Sequence, residues 1–192
     1  MKIINLPCKD EDIRELRTGD IFYICGALVT GRDEVYHRVA EEGVMPPVNL
    51  NGMAIYHAGP IVKEEKSPIP HYNLIAIGPT SSIRLEKWSA DFIQKTGVKI
   101  MIGKGGMGEK TAQACAAMGA VHCVYPGGCA VLGASQIEKT EGCWWPEFGM
   151  AECLWVMRSN LFGPLITSID TQGNNLFAEN LSFFKQNRMI FA

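Results

Sequence analysis

Seven cysteines occur in this 192-residue chain, yet no two of them are spaced C-x-x-C. The local pattern by which zinc and many iron–sulfur sites are recognised is therefore missing. Cys8, Cys25, Cys115, Cys123, Cys129, Cys143 and Cys153 are odd in number and scattered. They read as reduced thiols packed like small apolar side chains, and any iron–sulfur ligands would come from elsewhere. An excess of charge is also lacking: 18 Lys+Arg against 20 Asp+Glu leave a net −2. Nothing global then favours nucleic acid or an anionic membrane as a partner, although a local group of cations could still hold a small anion. No run approaches the ~18 apolar residues of a membrane span. The opening MKIINLPCKDEDIREL is too acidic, and its apolar run too short, for a secretory signal. A cytoplasmic protein is the default expectation. Internal repeats and low-complexity segments are absent as well.

What is present suits a folded domain. Hydrophobic residues make up 47% and charged residues 20%, enough for one core spanning residues 1–192 with a C-terminal tail from about residue 176. Ile21–Val29 is an apolar run rich in β-formers behind the turn-like Thr18-Gly19-Asp20. Ala54–Ala58 and Leu74–Ile77 predict two short buried strands, and Gly59–Tyr72, with three prolines and mixed charges, predicts a loop between them. A helix is expected over Glu86–Lys95, stopped by Gly97, then a strand Val98–Ile102, a glycine-rich turn and a helix Glu109–Met118. Ala120–Val124 reads as a strand, Gly127-Gly128 leads into a helix ending at Ile137, and Glu141–Pro146 reads as a turn. Cys153–Met157 and Leu165–Ile169 complete the strands. Early hairpins followed by strand–helix alternation indicate an α/β layered domain. In the tail, Phe177, Leu181 and Phe184 fall at i, i+4 and i+7, a packing face or a subunit interface.

Three strand ends carry candidate chemistry. The segment Gly103-Lys104-Gly105-Gly106-Met107-Gly108 satisfies G-x-G-x-x-G between an expected strand and an expected helix. The next strand ends in Tyr125-Pro126, with no acid to grip a ribose, and Gly108-Glu109-Lys110-Thr111 departs from a phosphate-binding loop by one residue. A tight turn explains the glycines equally well. The turn also suits an anion, because free N–H groups at a helix start stand beside Lys104. A second candidate, Gly78-Pro79-Thr80-Ser81-Ser82-Ile83-Arg84, places hydroxyls and Arg84 after a strand, or else forms an ordinary turn and cap. The third is Thr30-Gly31-Arg32-Asp33, where Arg32 could fork onto a carboxylate or pair with Asp33 or Glu34. If folding gathers Arg32, Arg84 and Lys104, they form a receptor for a dicarboxylate.

The succession TGRD (Thr30–Asp33), YHAGP (Tyr56–Pro60), GPTSSIR (Gly78–Arg84), MIGKG (Met101–Gly105), PGGCA (Pro126–Ala130), FGMAECLW (Phe148–Trp155), FGPLITSID (Phe162–Asp170) and QGNNLF (Gln172–Phe177) resembles the beta component of class I fumarases and tartrate dehydratases. The resemblance runs in order over nearly the whole chain. It implies a swivelling β/β/α domain and an active site shared with an alpha subunit whose cysteines hold a [4Fe–4S] cluster, with no cofactor bound by this chain alone. It further implies that Arg32, Arg84 and Lys104 grip the substrate carboxylates and that Thr80 removes the proton beside one of them. A threonine hydroxyl can act as a base only if cations or dipoles stabilise its alkoxide. Two departures stand out. The family usually has a histidine four residues after the first arginine, where this chain has Tyr36, with His37 one place later; and Ser81 replaces a threonine. His37, His57, His71 and His122 are accordingly read as structural.

The expected function is that of a hydro-lyase beta subunit acting on a 2-hydroxy dicarboxylate, malate to fumarate first and tartrate to oxaloacetate second. The alternatives are a nucleotide-binding enzyme using Gly103–Gly108 and a non-catalytic assembly domain of the same fold. The expected partners are a cluster-bearing alpha subunit and a dicarboxylate, with a homodimer as a further association of the uncovered chain.

Overall fold

In the computed structural model, residues 1–65 and 71–188 are described. In chain order they form β1 (Lys2–Leu6), α1 (Asp10–Ile13), β2 (Ile21–Thr30), α2 (Asp33–Ala40), β3 (Ala54–Tyr56), β4 (Ile61–Glu65), β5 (His71–Ala76), α3 (Glu86–Thr96), β6 (Ile100–Gly103), α4 (Glu109–Met118), β7 (Val121–Val124), α5 (Ala130–Ser135), β8 (Lys139–Trp144), β9 (Leu154–Ile169) and α6 (Leu176–Arg188). A single 3₁₀ turn over Ser82–Leu85 leads directly into α3.

Strands β2, β3, β6 and β7 run parallel, in that order. The long β9 is antiparallel to β7 at one end and to β8 at the other. It also pairs along β2, from Ile21↔Ile166 to Val29↔Val156, so five strands close into a ring. Strand β1 adds to the start of β2 in parallel, beside Gly26. A Cβ on Gly26 would lie 2.6 Å from the Leu6 carbonyl oxygen, and its φ is +114°, so only glycine allows this approach. The α/β class expected from strand–helix alternation is what forms; closure through β2 and β9 is what sequence order alone does not convey.

Alternation along the strands explains two cores. Phe22, Ile24, Leu28, Ala54, Tyr56, Ile100, Ile102, Val121 and Cys123 share the inner one. Their neighbours Val29, Ile55 and Met101 turn the other way, towards Val35 and Tyr36 of α2, Phe92 of α3 and Cys115 of α4. Both faces are dry, which is why these strands read as continuous apolar runs. Helices α3 and α4 end at Gly97 (φ 70°) and Gly119 (φ 61°), the left-handed caps their sequences call for.

Three expectations are corrected. The loop expected over Gly59–Tyr72 contains β4 and the start of β5, an antiparallel hairpin, while residues 66–70 lie outside the described residues. Val62 and Leu74 reach the inner core from it. The turn expected over Glu141–Pro146 is mostly β8, held antiparallel on β9. Cys153–Met157 and Leu165–Ile169 belong to one strand rather than two. Among the described residues no helix is long and apolar enough to cross a membrane.

Candidate active site

The parallel strands β2, β3 and β6 deliver Arg32, His57 and Lys104 at their carboxyl ends, where sites on parallel sheets form. The loop Gly78–Arg84, following β5, is laid across those ends by backbone bonds. Thr80 N–H donates to the His57 carbonyl at 2.7 Å, and Lys104 N–H donates to the Thr80 carbonyl at 3.1 Å. Ser82 N–H donates back to the Lys104 carbonyl at 3.0 Å. Thr80 and Lys104 are thus fixed beside each other by main chain alone. The Arg32 end joins the same assembly through Gly59: a Cβ there would come 2.5 Å from Arg32 Nη1. Arg84 joins it through Asp33, the residue after Arg32, whose Oδ2 accepts from Arg84 Nη2 at 2.6 Å. The fold therefore collects the four residues singled out in sequence around one set of strand ends.

Their electrostatics differ from one another. Arg32 is largely buried and pairs with Glu152 at 3.0 Å, while its Nε is buried with no partner among the described residues. Burial raises the Glu152 carboxyl above its usual range, and the Arg32 charge acts the other way. Arg84 is half exposed and paired with Asp33. Lys104 is exposed and belongs to no ion pair among the described residues. Both arginines thus face a carboxylate of the chain itself, and Lys104 supplies the uncompensated charge. Glu152 was invisible to sequence reasoning because it lies 120 residues from Arg32.

The glycine-rich turn is corrected in one respect. The start of α4 is not a vacant anion site: Glu86 reaches over from α3 and fills it. Its carboxylate accepts from Gly108 N–H at 2.7 Å, Thr111 N–H at 3.2 Å and the Thr111 hydroxyl at 2.6 Å. A carboxylate already occupies the place a pyrophosphate would need, which speaks against the nucleotide-binding alternative. Beside this turn lies a groove of about 820 Å³ whose lining includes Ser81, Ile83, Lys104, Phe177 and Leu181. Arg32 and Arg84 are outside it. Of the tail stripe, expected as a packing face or a subunit interface, Phe177 packs against Gly106, while Leu181 and Phe184 remain 56% and 65% exposed.

His37 faces Glu41, Glu42 and the edge of Trp88 instead of the loops. His57 and His122 are fully buried and neutral: burial pushes His57 well below its usual range, and His122 down to about 3. Among the described residues no three His, Cys, Asp or Glu side chains converge as metal ligands. Burial also raises the thiols, Cys8 to about 11 and Cys153 to about 12, with Cys115 and Cys123 raised too.

Known proteins match this chain over most of its length. The family described as "Fumarase C-terminus" covers residues 1–180. The L(+)-tartrate dehydratase subunit beta of Escherichia coli strain K12 is 48% identical over 187 residues, spanning 97% of this chain and 92% of that protein. A Methanocaldococcus jannaschii protein assigned as an L(+)-tartrate dehydratase subunit beta is 35% identical, covering 88% of this chain and 87% of its own. A Geobacillus stearothermophilus protein assigned as a class I fumarate hydratase is 38% identical across 95% of this chain but only 36% of its own length. The chain belongs to the fumarase C-terminus family.

Proposed function

We propose that this chain is the beta subunit of a hydro-lyase which, with a separate alpha subunit, dehydrates L(+)-tartrate to oxaloacetate. The observation that carries the choice of substrate is the 48% identity to tartrate dehydratase beta subunits over nearly the whole of both chains, against 38% to the class I fumarate hydratase. Tartrate therefore moves ahead of malate and fumarate, the pair that sequence motifs alone put first.

The chain's own part is electrostatic. Lys104 attracts the dianion, and Arg32 and Arg84 complete the grip on its two carboxylates by sharing or exchanging Glu152 and Asp33. Proton removal beside a carboxylate places charge on that carboxylate, and fixed cations stabilise it. Thr80 is the base in this scheme. Its neighbour Arg84 is partly neutralised by Asp33, so the field of Lys104, tied to Thr80 through the backbone, carries more of the burden. A [4Fe–4S] cluster held by the alpha subunit would, when bound, supply the Lewis acid for the departing hydroxyl. The longer Geobacillus relative, of which this chain matches 36%, is consistent with a second component of larger size.

The test is kcat/KM for L-tartrate, L-malate and fumarate, measured without oxygen on this chain combined with its cluster-loaded alpha subunit. L-tartrate should give the highest value. Faster fumarate hydration would return the substrate to malate and fumarate, and silence with all three in an intact complex would refute the enzymatic reading.

A further inference from the structure

Beneath the candidate site runs a chain of three buried polar side chains. Tyr36, on α2, lies 2.7 Å from His57 Nε2, and Ser82 Oγ lies 3.0 Å from His57 Nδ1. All three residues have no exposed surface. Tyr36 is anchored on both sides: its ring stacks on Phe92 at 4.1 Å, and its N–H donates to the Arg32 carbonyl at 3.0 Å. His57 holds Thr80 N–H through its own carbonyl. Ser82 opens the 3₁₀ turn that contains Arg84, and its N–H is bound to the Lys104 carbonyl. Gly103, immediately before Lys104, leaves the room for this contact, since a Cβ there would collide with Ser82 Oγ and come 3.0 Å from His57 Nδ1.

Every segment that carries a candidate cation or the candidate base is therefore one bond from this chain. A neutral imidazole, which donates from one nitrogen and accepts on the other, can bridge two hydroxyls without burying a charge. We propose that His57 is a positioning residue, bridging Tyr36 and Ser82 so that Arg32, Thr80, Arg84 and Lys104 keep one mutual register. The proposal rests on reading those loops as the substrate site. Its consequence is directional. The Ser82 arm reaches the loop that bears Thr80 and Arg84 and, through its backbone bond, Lys104, whereas the Tyr36 arm reaches α2 and, of the four residues, only Arg32 at its start.

Two substitutions separate the arms. The amide of His57→Asn falls near Nδ1 and keeps the Ser82 contact; that of His57→Gln falls near Nε2 and keeps Tyr36. In the anoxic complex with alpha, His57→Gln should lower kcat/KM by about 10²-fold, through a lower kcat and a higher KM together, and His57→Asn should stay closer to wild type. Amide hydrogen exchange on the full-length chain gives a readout free of turnover: Thr80, Ser82 and Lys104 should exchange faster in His57→Gln than in His57→Asn. Should the Gln chain not fold, Ser82→Ala, which removes one hydroxyl, must show the same faster exchange. Equal effects of Asn and Gln on turnover and exchange, following thermal stability alone, would overturn the positioning role. A wild-type complex inactive on every dicarboxylate would sink the functional reading, and the exchange comparison would still decide the role of His57.

Discussion

Replacing Glu86 by alanine strips the start of α4 of its side-chain acceptor. Three contacts vanish together, to Gly108 N–H, Thr111 N–H and the Thr111 hydroxyl. Bonds to a charged group contribute about 1.5–3 kcal/mol each when nothing replaces them. Here the turn is only part-buried, so water recovers much of that, and the loss approaches that of a helix N-cap, about 1–2 kcal/mol. The favourable interaction of a carboxylate with the helix dipole adds about 0.3–1 kcal/mol. A chain of this size loses about 2–4 °C in Tm per kcal/mol, so Glu86→Ala should melt about 3–12 °C below wild type by circular dichroism. Glu86→Gln, which keeps one acceptor oxygen, should fall between them. The vacated N–H groups should then attract an anion, so sulfate should raise the Tm of Glu86→Ala more than that of wild type, beyond its general stabilising effect. An alanine variant that melts with wild type, and gains no more from sulfate, would refute the claim that Glu86 occupies this helix start.

Two further outcomes follow from the buried geometry. Gly103→Ala forces a methyl onto Ser82 Oγ, and overpacking of this kind costs about 1–3 kcal/mol, so the variant should unfold at lower denaturant concentration with an unchanged m value. His57 and His122 are held neutral in the fold, with pKa values below the usual 6.5, whereas the unfolded chain can protonate them freely. Their contribution is therefore fully present above pH 6.5 and declines as pH falls from there towards about 3, the folded value of His122. The slope is about 1.4 kcal/mol per pH unit for each histidine, and urea titrations between pH 7 and 4 measure it; substituting His122 should flatten the slope.

Local signals made some of the fold legible and left other parts hidden. Helices α3 and α4 could be read because each ends at a glycine in the left-handed region, and α4 begins behind a glycine-rich turn. Strand β2 could be read because its run of β-forming apolar residues is buried on both faces at its end, Leu28–Thr30. Strand β8, KTEGCW, carries charge and glycine and exists by pairing with β9, so its own residues suggested a turn. Cys153–Met157 and Leu165–Ile169 read as two strands, and pairing with β2 and β7 sustains one through Gly163-Pro164. The site divides in the same way. Arg32, Thr80, Arg84 and Lys104 each sit in a short motif beside a strand end and were visible. Their partners were not: Glu152 and Asp33 are ordinary acids until folding sets them against arginines, and His57 lacks meaning without Tyr36 and Ser82 around it. The free helix start at Gly108 was misjudged because Glu86, 22 residues away, fills it only in three dimensions.

The central claim is that Lys104, which among the three candidate cations has no ion-pair partner within the described residues, supplies the free charge for a dicarboxylate. Its most direct test is L-tartrate turnover by the anoxic complex of alpha with Lys104→Ala, alongside a sedimentation check that the complex still forms. Losing a charge-assisted contact of this kind should lower kcat/KM by at least about 10²-fold while assembly is unchanged. Wild-type turnover in an intact Lys104→Ala complex would contradict the account.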